Sequence, residues 1–179
     1  MKTVNGFTLT EAMIALAIVG VLAAVVLPAI RGTVSAARSA GERSALTEAL
    51  LVALNQSTIN SANVVLCAST DGSSCNGGVD WTGGWISFLD RNGDRIRDPG
   101  DTLLRTHPRL ASGIRLRSST GRTHIVFQPQ GGATAGSNVT FTLCDNRGAA
   151  KASTIVMANS GRMRFDAATP AQALACLGM

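Results

Sequence analysis

The sequence predicts an α+β protein, a long N-terminal helix followed by a head of antiparallel strands. Three observations carry this. An uncharged apolar run, Ala12 to Ile30, follows a short leader whose basic residue is Lys2. Beyond it, Val34, Ala37, Ala45, Leu46, Ala49, Leu50, Val52, Ala53 and Leu54 recur at helical spacing. From Val64 onward, short apolar segments are bounded by Gly, Asn, Asp or Pro, the punctuation of strands and turns.

As helix, the apolar run would span roughly 28 Å, close to the ~30 Å hydrocarbon core of a bilayer. Pro28 is expected to bend this helix rather than end it. In the amphipathic continuation, Arg38, Glu42, Arg43 and Glu48 are expected on the outer face, with an end between Asn55 and Asn63. Seven strands are predicted, at 64–67, 85–89, 113–117, 123–127, 139–143, 154–157 and 162–165. Gly131 to Gly136 reads as a flexible hairpin loop. No phosphate-loop lysine follows it, which argues against a nucleotide cradle.

Composition bounds what the head can be. Of 179 residues, about 120 remain once the helix is set aside, enough for one core. Aromatics are scarce and tyrosine is absent, so the core is expected to rest on Val, Ile, Leu and Ala. The net charge is +5, and arginine supplies 14 of the 16 basic side chains. Between Arg115 and Arg164 seven basic residues face a single acid, Asp145. That imbalance suits an anionic partner, nucleic acid or a membrane surface.

Glu11 stands at the edge of the apolar run. A carboxylate inside a membrane costs on the order of 3 kcal/mol, so its presence points to function. A secretory signal peptide cut near Ala36-Ala37 fits poorly, because the run is too long and starts with an acid. Gly6-Phe7-Thr8-Leu9 with Glu11 and Pro28 instead resembles the class III signal of type IV pilins and type II secretion pseudopilins. The resemblance implies cleavage after Gly6 by a prepilin peptidase and methylation of the new terminus, Phe7. It also implies that Glu11 pairs with a neighbouring subunit's N-terminal amine. A dry filament core favours that pairing, since either charge alone would be costly there.

The head narrows the resemblance. Trp81 to Asp94, Leu103-Leu104-Arg105, Phe141 to Gly148 and Asn159 to Arg164 are similar to the GspH/FimT branch of minor pilins. That branch implies a head whose antiparallel strands form two sheets. It divides the chain into a leader (1–6), a transmembrane or filament-core helix (7–30), its amphipathic continuation (31–62) and a periplasmic or extracellular head (63–179). FimT-like members bind DNA through a C-terminal Gly-Arg-x-Arg motif, which here is Gly161-Arg162-Met163-Arg164. Residues two apart in a strand share a face, so Arg162 and Arg164 would project together, with Met163 and Phe165 toward the core. Gly161 would let the backbone approach phosphates, and Arg147 and Lys151 are secondary candidates for DNA contact. Such contacts position nucleic acid without reading its sequence.

Cys67, Cys75, Cys144 and Cys176 form an even set, expected to be oxidised in a periplasmic head. Three pairings are open. The turn-forming stretch between Cys67 and Cys75 favours their closing on each other, leaving Cys144 to Cys176. A zinc site is weakly supported, with no CxxC pair and only His107 and His124 to assist. Asp90, Asn92, Asp94, Asp98 and Asp101 mimic an EF-hand loop, but Arg95 replaces its glycine, so a hairpin with an Asn-Gly turn is expected. Neither histidine belongs to a nucleophile motif, so neither an enzyme nor a cofactor is expected. Asn138-Val139-Thr140 matches a glycosylation sequon, a pattern frequent by chance.

The reading that follows is a FimT-like minor pilin, partnered by DNA, other pilins and a prepilin peptidase. It would reside in the inner membrane before joining the filament at the cell surface. Its rivals are a GspH-like minor pseudopilin of a secretion system and a minor pilin that only primes assembly.

Overall fold

The computed structural model describes Gly6 and residues 8–178, apart from the side chains at 25, 27–29 and 31. Residues 1–5, Phe7 and the side chain of Pro28, with the leader, methylation and helix-bend expectations attached to them, lie outside the described residues. Helix α1, Leu9–Ile59, passes through position 28 without ending. Thr8 starts it, its Oγ1 accepting from the Glu11 backbone N–H at 3.3 Å, and Glu11 lies in the first turn where the helix dipole favours an acid. At the far end Ser61 takes a left-handed φ of 49° and the Ala62 N–H returns to Ser57 O at 3.3 Å, a C-terminal stop.

The chain forms two compact units, one up to Ala37 and one from Arg38. In the first, Leu16, Val19, Leu22 and Val26 are exposed. Among the described residues, no helix is long and apolar enough to cross a membrane.

In the second unit, strands β1 (Asn63–Ala68), β2 (Trp85–Asp90), β3 (Thr102–His107) and β5 (His124–Phe127) make one sheet, in the order β3-β2-β1-β5. Strands β4 (Ile114–Ser118), β6 (Val139–Asp145), β7 (Ser153–Met157) and β8 (Met163–Ala167) make another, in the order β4-β6-β7-β8. All pairings between these strands are antiparallel. Alternation explains the layers. Val64, Leu66, Ile125 and Phe127 of the first sheet meet Leu116, Phe141, Leu143 and Ile155 of the second in one core, completed by Leu46, Leu50 and Ala53 of α1.

Several expectations change here. Aromatics anchor the core despite their scarcity, for Trp81, Trp85, Phe88, Phe127 and Phe141 are all buried. Trp81 meets Phe141 edge to face at 4.9 Å and donates its Nε1–H to Ser118 Oγ at 3.1 Å. Glu42 does not face outward. One carboxylate oxygen accepts from the Ala111 N–H and the other lies 3.0 Å from His107 Nε2, whose ring stacks on Trp85. Strand β3 was not predicted, nor was helix α2 (Pro170–Leu177), which Thr169 and Gln172 open with a capping box.

Disulfides join Cys67 to Cys75 and Cys144 to Cys176. The first closes a loop folded around Asp71, whose carboxyl is held well below the usual range by the Ser74 hydroxyl and then by the Ser73 and Ser74 amides. The second fixes α2 against β6, with Ala152 and Ala173 packed beside it. Close by, Asp145 is buried and receives Ser39 Oγ of α1 together with the Arg147 guanidinium, whose Nη2 lies 2.6 Å from Oδ2. Burial pushes the Asp145 carboxyl up, but the bonds from Arg147 and Ser39 and the guanidinium charge outweigh it and lower its pKa.

These ties have measurable consequences. Loop closure makes the 32-residue separation of Cys144 and Cys176 worth roughly 3–4 kcal/mol, against about 2–3 for the shorter loop. Replacing Cys144 and Cys176 by alanine should therefore lower the unfolding midpoint more than replacing Cys67 and Cys75, and the reverse order would refute this account of α2. Asp145→Asn should cost about 3 kcal/mol at neutral pH, because it leaves a guanidinium poorly paired. Since its folded pKa is depressed, the contribution of Asp145 is complete above its unfolded pKa of about 3.9 and is lost as pH falls through the folded value. Thermal unfolding over a pH series should show a shallower acid decline in the variant; parallel curves would contradict the role of Asp145.

Candidate nucleic-acid interface

The β7–β8 hairpin presents the Gly-Arg-x-Arg motif. The Gly161 N–H donates to Ala158 O at 2.9 Å and the Ala158 N–H to Arg162 O at 3.0 Å, closing a turn in which Gly161 has a φ of 79°. A side chain there would be strained, and its Cβ would also come within 3.0 Å of Leu54 on α1. Packing against the helix and the turn's left-handed backbone together require glycine at 161.

Arg162 and Arg164 are both exposed. Strand β8 is a sheet edge, and alternation turns Met163 toward the core while Arg164 faces the other side. Phe165 departs from its expected place. It shares the inward face of Met163, yet the edge strand runs past the edge of the core and leaves it 52% exposed. Arg43 of α1 lies over its ring at 5.9 Å. Arg164 carries one acidic neighbour, Asp166, at 3.1 Å, with side chains 74% and 53% exposed. Such a surface pair is weak and readily exchanged for a phosphate.

Arg162 and Arg164 border an open trough of about 650 Å³, lined also by Asn138, Val156, Asn159 and Ser160. No acid lines it among the described residues. Neither secondary candidate belongs to it. Arg147 is turned inward, its Nε 2.9 Å and 3.1 Å from the two oxygens of Asp145. The reason is electrostatic, since a buried carboxylate must be paired. Lys151 is exposed but ends a 3-10 turn, Ala149–Lys151, that packs against α2.

The other constellations resolve into structural roles. The EF-hand-like stretch is the β2–β3 hairpin loop, where buried Asp90 accepts from the Gly93 and Arg95 N–H groups and Asp101 from those of Arg91 and Asp98. Arg95 adopts the left-handed φ of 66° at the glycine position. Among the described residues, no group of three His, Cys, Asp or Glu is placed to hold a metal ion. His124 opens β5, and burial and then the Arg95 charge lower its pKa.

Comparison with known proteins places this architecture. The model of the family described as "Type II transport protein GspH" matches residues 42–161, and the prokaryotic N-terminal methylation motif matches residues 1–27. The first match stops at Gly161, one residue short of the two arginines. The pilin-like protein PilA1 of Thermus thermophilus is 30% identical over 173 residues, covering 92% of this chain and 99% of its own. The minor pilin FimU of Pseudomonas aeruginosa superposes with a TM-score of 0.54 at 19% identity, over 72% of this chain and 86% of its own. The minor pseudopilin EpsH of Vibrio cholerae superposes at 0.51 and 10% identity, over 73% and 97%. With an N-terminal helix, two antiparallel sheets and a methylation motif, the chain belongs to the GspH family as a GspH/FimT-type minor pilin.

Proposed function

We propose that this protein is a FimT-like minor pilin that enters a type IV pilus and binds DNA non-specifically through Arg162 and Arg164, aiding DNA uptake in natural transformation. The observation that carries the reading is the exposure of both arginines on an open trough without acids in its lining. Phosphates would exchange with Asp166 for Arg164 and meet Arg162 beside it. Two such contacts support a dissociation constant only in the range of about 10⁻⁴–10⁻⁶ M, which several subunits on one filament would raise by avidity.

In the same reading, prepilin peptidase cuts after Gly6 and Phe7 becomes the methylated terminus. The helix over 7–30 resides in the inner membrane before assembly, and Glu11 pairs with a neighbouring amine on entry to the filament. The exposed Leu16, Val19, Leu22 and Val26 supply the apolar surface that either environment would cover. The continuation over 31–62 and the head over 63–179 then stand outside the membrane.

A second reading, a minor pseudopilin of a secretion system, is favoured by the description of the matching family. A deletion strain separates the two, since loss of transformation with secretion intact supports DNA uptake and loss of secretion supports the pseudopilus. For the site itself, Arg162→Gln with Arg164→Gln should weaken retardation of a mixed-sequence DNA duplex by the full-length protein about tenfold or more, with an unchanged unfolding midpoint. Undiminished retardation by the folded double variant would refute the assignment.

A further inference from the structure

The outer face of the β4-β6-β7-β8 sheet is only half covered. Helix α2 lies against β6 and β4, and Thr142, Cys144 and Thr154 are buried. In the next row, Arg164 stands opposite Val156 and Val156 opposite Thr140. Val156 and Thr140 remain half-exposed, forming a floor that runs inward from Arg164.

A third arginine stands at the other margin of that floor. Arg122, in the turn between β4 and β5, donates its Nε–H to Asn138 O at 2.7 Å and an Nη2–H to Asn138 Oδ1 at 3.1 Å. Asn138 precedes β6 and lines the trough that Arg162 and Arg164 border. These bonds engage two of the five guanidinium N–H donors and hold the fork in place. Among the described residues no acid forms an ion pair with Arg122.

From this juxtaposition we infer that the nucleic-acid site is a sheet-crossing track, in which a DNA backbone held at Arg162 and Arg164 passes over Val156 and Thr140 to Arg122. The inference rests on the DNA reading above and adds its path and a third phosphate ligand. Two strand spacings separate β8 from β6, about 10 Å. With about 3.4 Å of axial rise per phosphate along one strand, that span covers roughly three phosphates. The apolar Val156 and neutral Thr140 carry no charge that would repel the backbone between the arginine ends.

The salt dependence of binding tests the track, because each phosphate contact contributes about −0.9 to the slope of log K against log salt on duplex DNA. The probe is a mixed-sequence duplex titrated with full-length protein at several salt concentrations. Arg122→Gln keeps hydrogen-bonding groups near Asn138 but removes the charge. It should weaken binding and flatten the slope by about 0.9, while Arg122→Lys keeps the wild-type slope. If Arg122→Gln binds like wild type while the Arg162/Arg164 variant does not, the track is overturned and the arginine pair stands. If none of these variants alters binding, the site reading falls and the track with it. Should Arg122→Gln lower the unfolding midpoint, Thr140→Glu decides. An acid on the floor with Arg122 intact should sharply weaken binding, and unchanged binding would overturn the track.

Discussion

Burial of one stripe of α1 is the constraint on which the rest of the head depends. Leu46, Leu50 and Ala53 are fully or almost fully buried in the core that both sheets share. Without them the inner faces of two four-stranded sheets would lack a common partner, and large-to-small changes at such positions cost several kcal/mol. Polar contacts then fix how the helix is seated. Glu42 reaches Ala111 and His107, and Ser39 reaches Asp145, so residues of one helix face hold both the β3–β4 connection and the end of β6. The helix that would carry the subunit into a filament is thus also the scaffold on which the arginine hairpin is hung, with Gly161 packed near Leu54.

Arginine use divides along the same lines. Arg147 serves a buried acid and Arg105 bridges to Glu48 on α1, while Arg162 and Arg164 stand on an edge hairpin whose outer face α2 does not cover. The Cys144–Cys176 bond determines where that cover lies, because it ties α2 over one half of the sheet. The disulfide shapes the trough by limiting what shields it. A basic composition gains meaning only through this sorting, since an arginine held by a buried acid, as Arg147 is, offers little to an external anion.

Much of this was legible in the sequence. Apolar periodicity placed the helix and seven strands to within about two residues, because alternation and spacing are direct consequences of burial. Strand β3 was hidden, as its residues are mostly half-buried or exposed and carry no strong apolar run. Helix α2 had a readable signal in Thr169-Pro170 followed by Gln172, a capping box with proline at the first turn. The misplacements have one cause. Glu42 and Phe165 depend on partners distant in the chain, namely Ala111 and His107, and Arg43, and local patterns do not report such contacts. The pairing of arginines on one face was legible at 162 and 164, whereas the bonds from Arg122 to Asn138, which lines their trough, arise only through the fold.

Arginine-specific chemical modification of the full-length protein, read by peptide mass spectrometry with and without duplex DNA, tests the central claim most directly. The account predicts that DNA protects Arg162 and Arg164 and leaves the exposed Arg91 and Arg95 of the β2–β3 loop as reactive as before. Protection confined to that loop, or spread equally over all of these arginines, would contradict it.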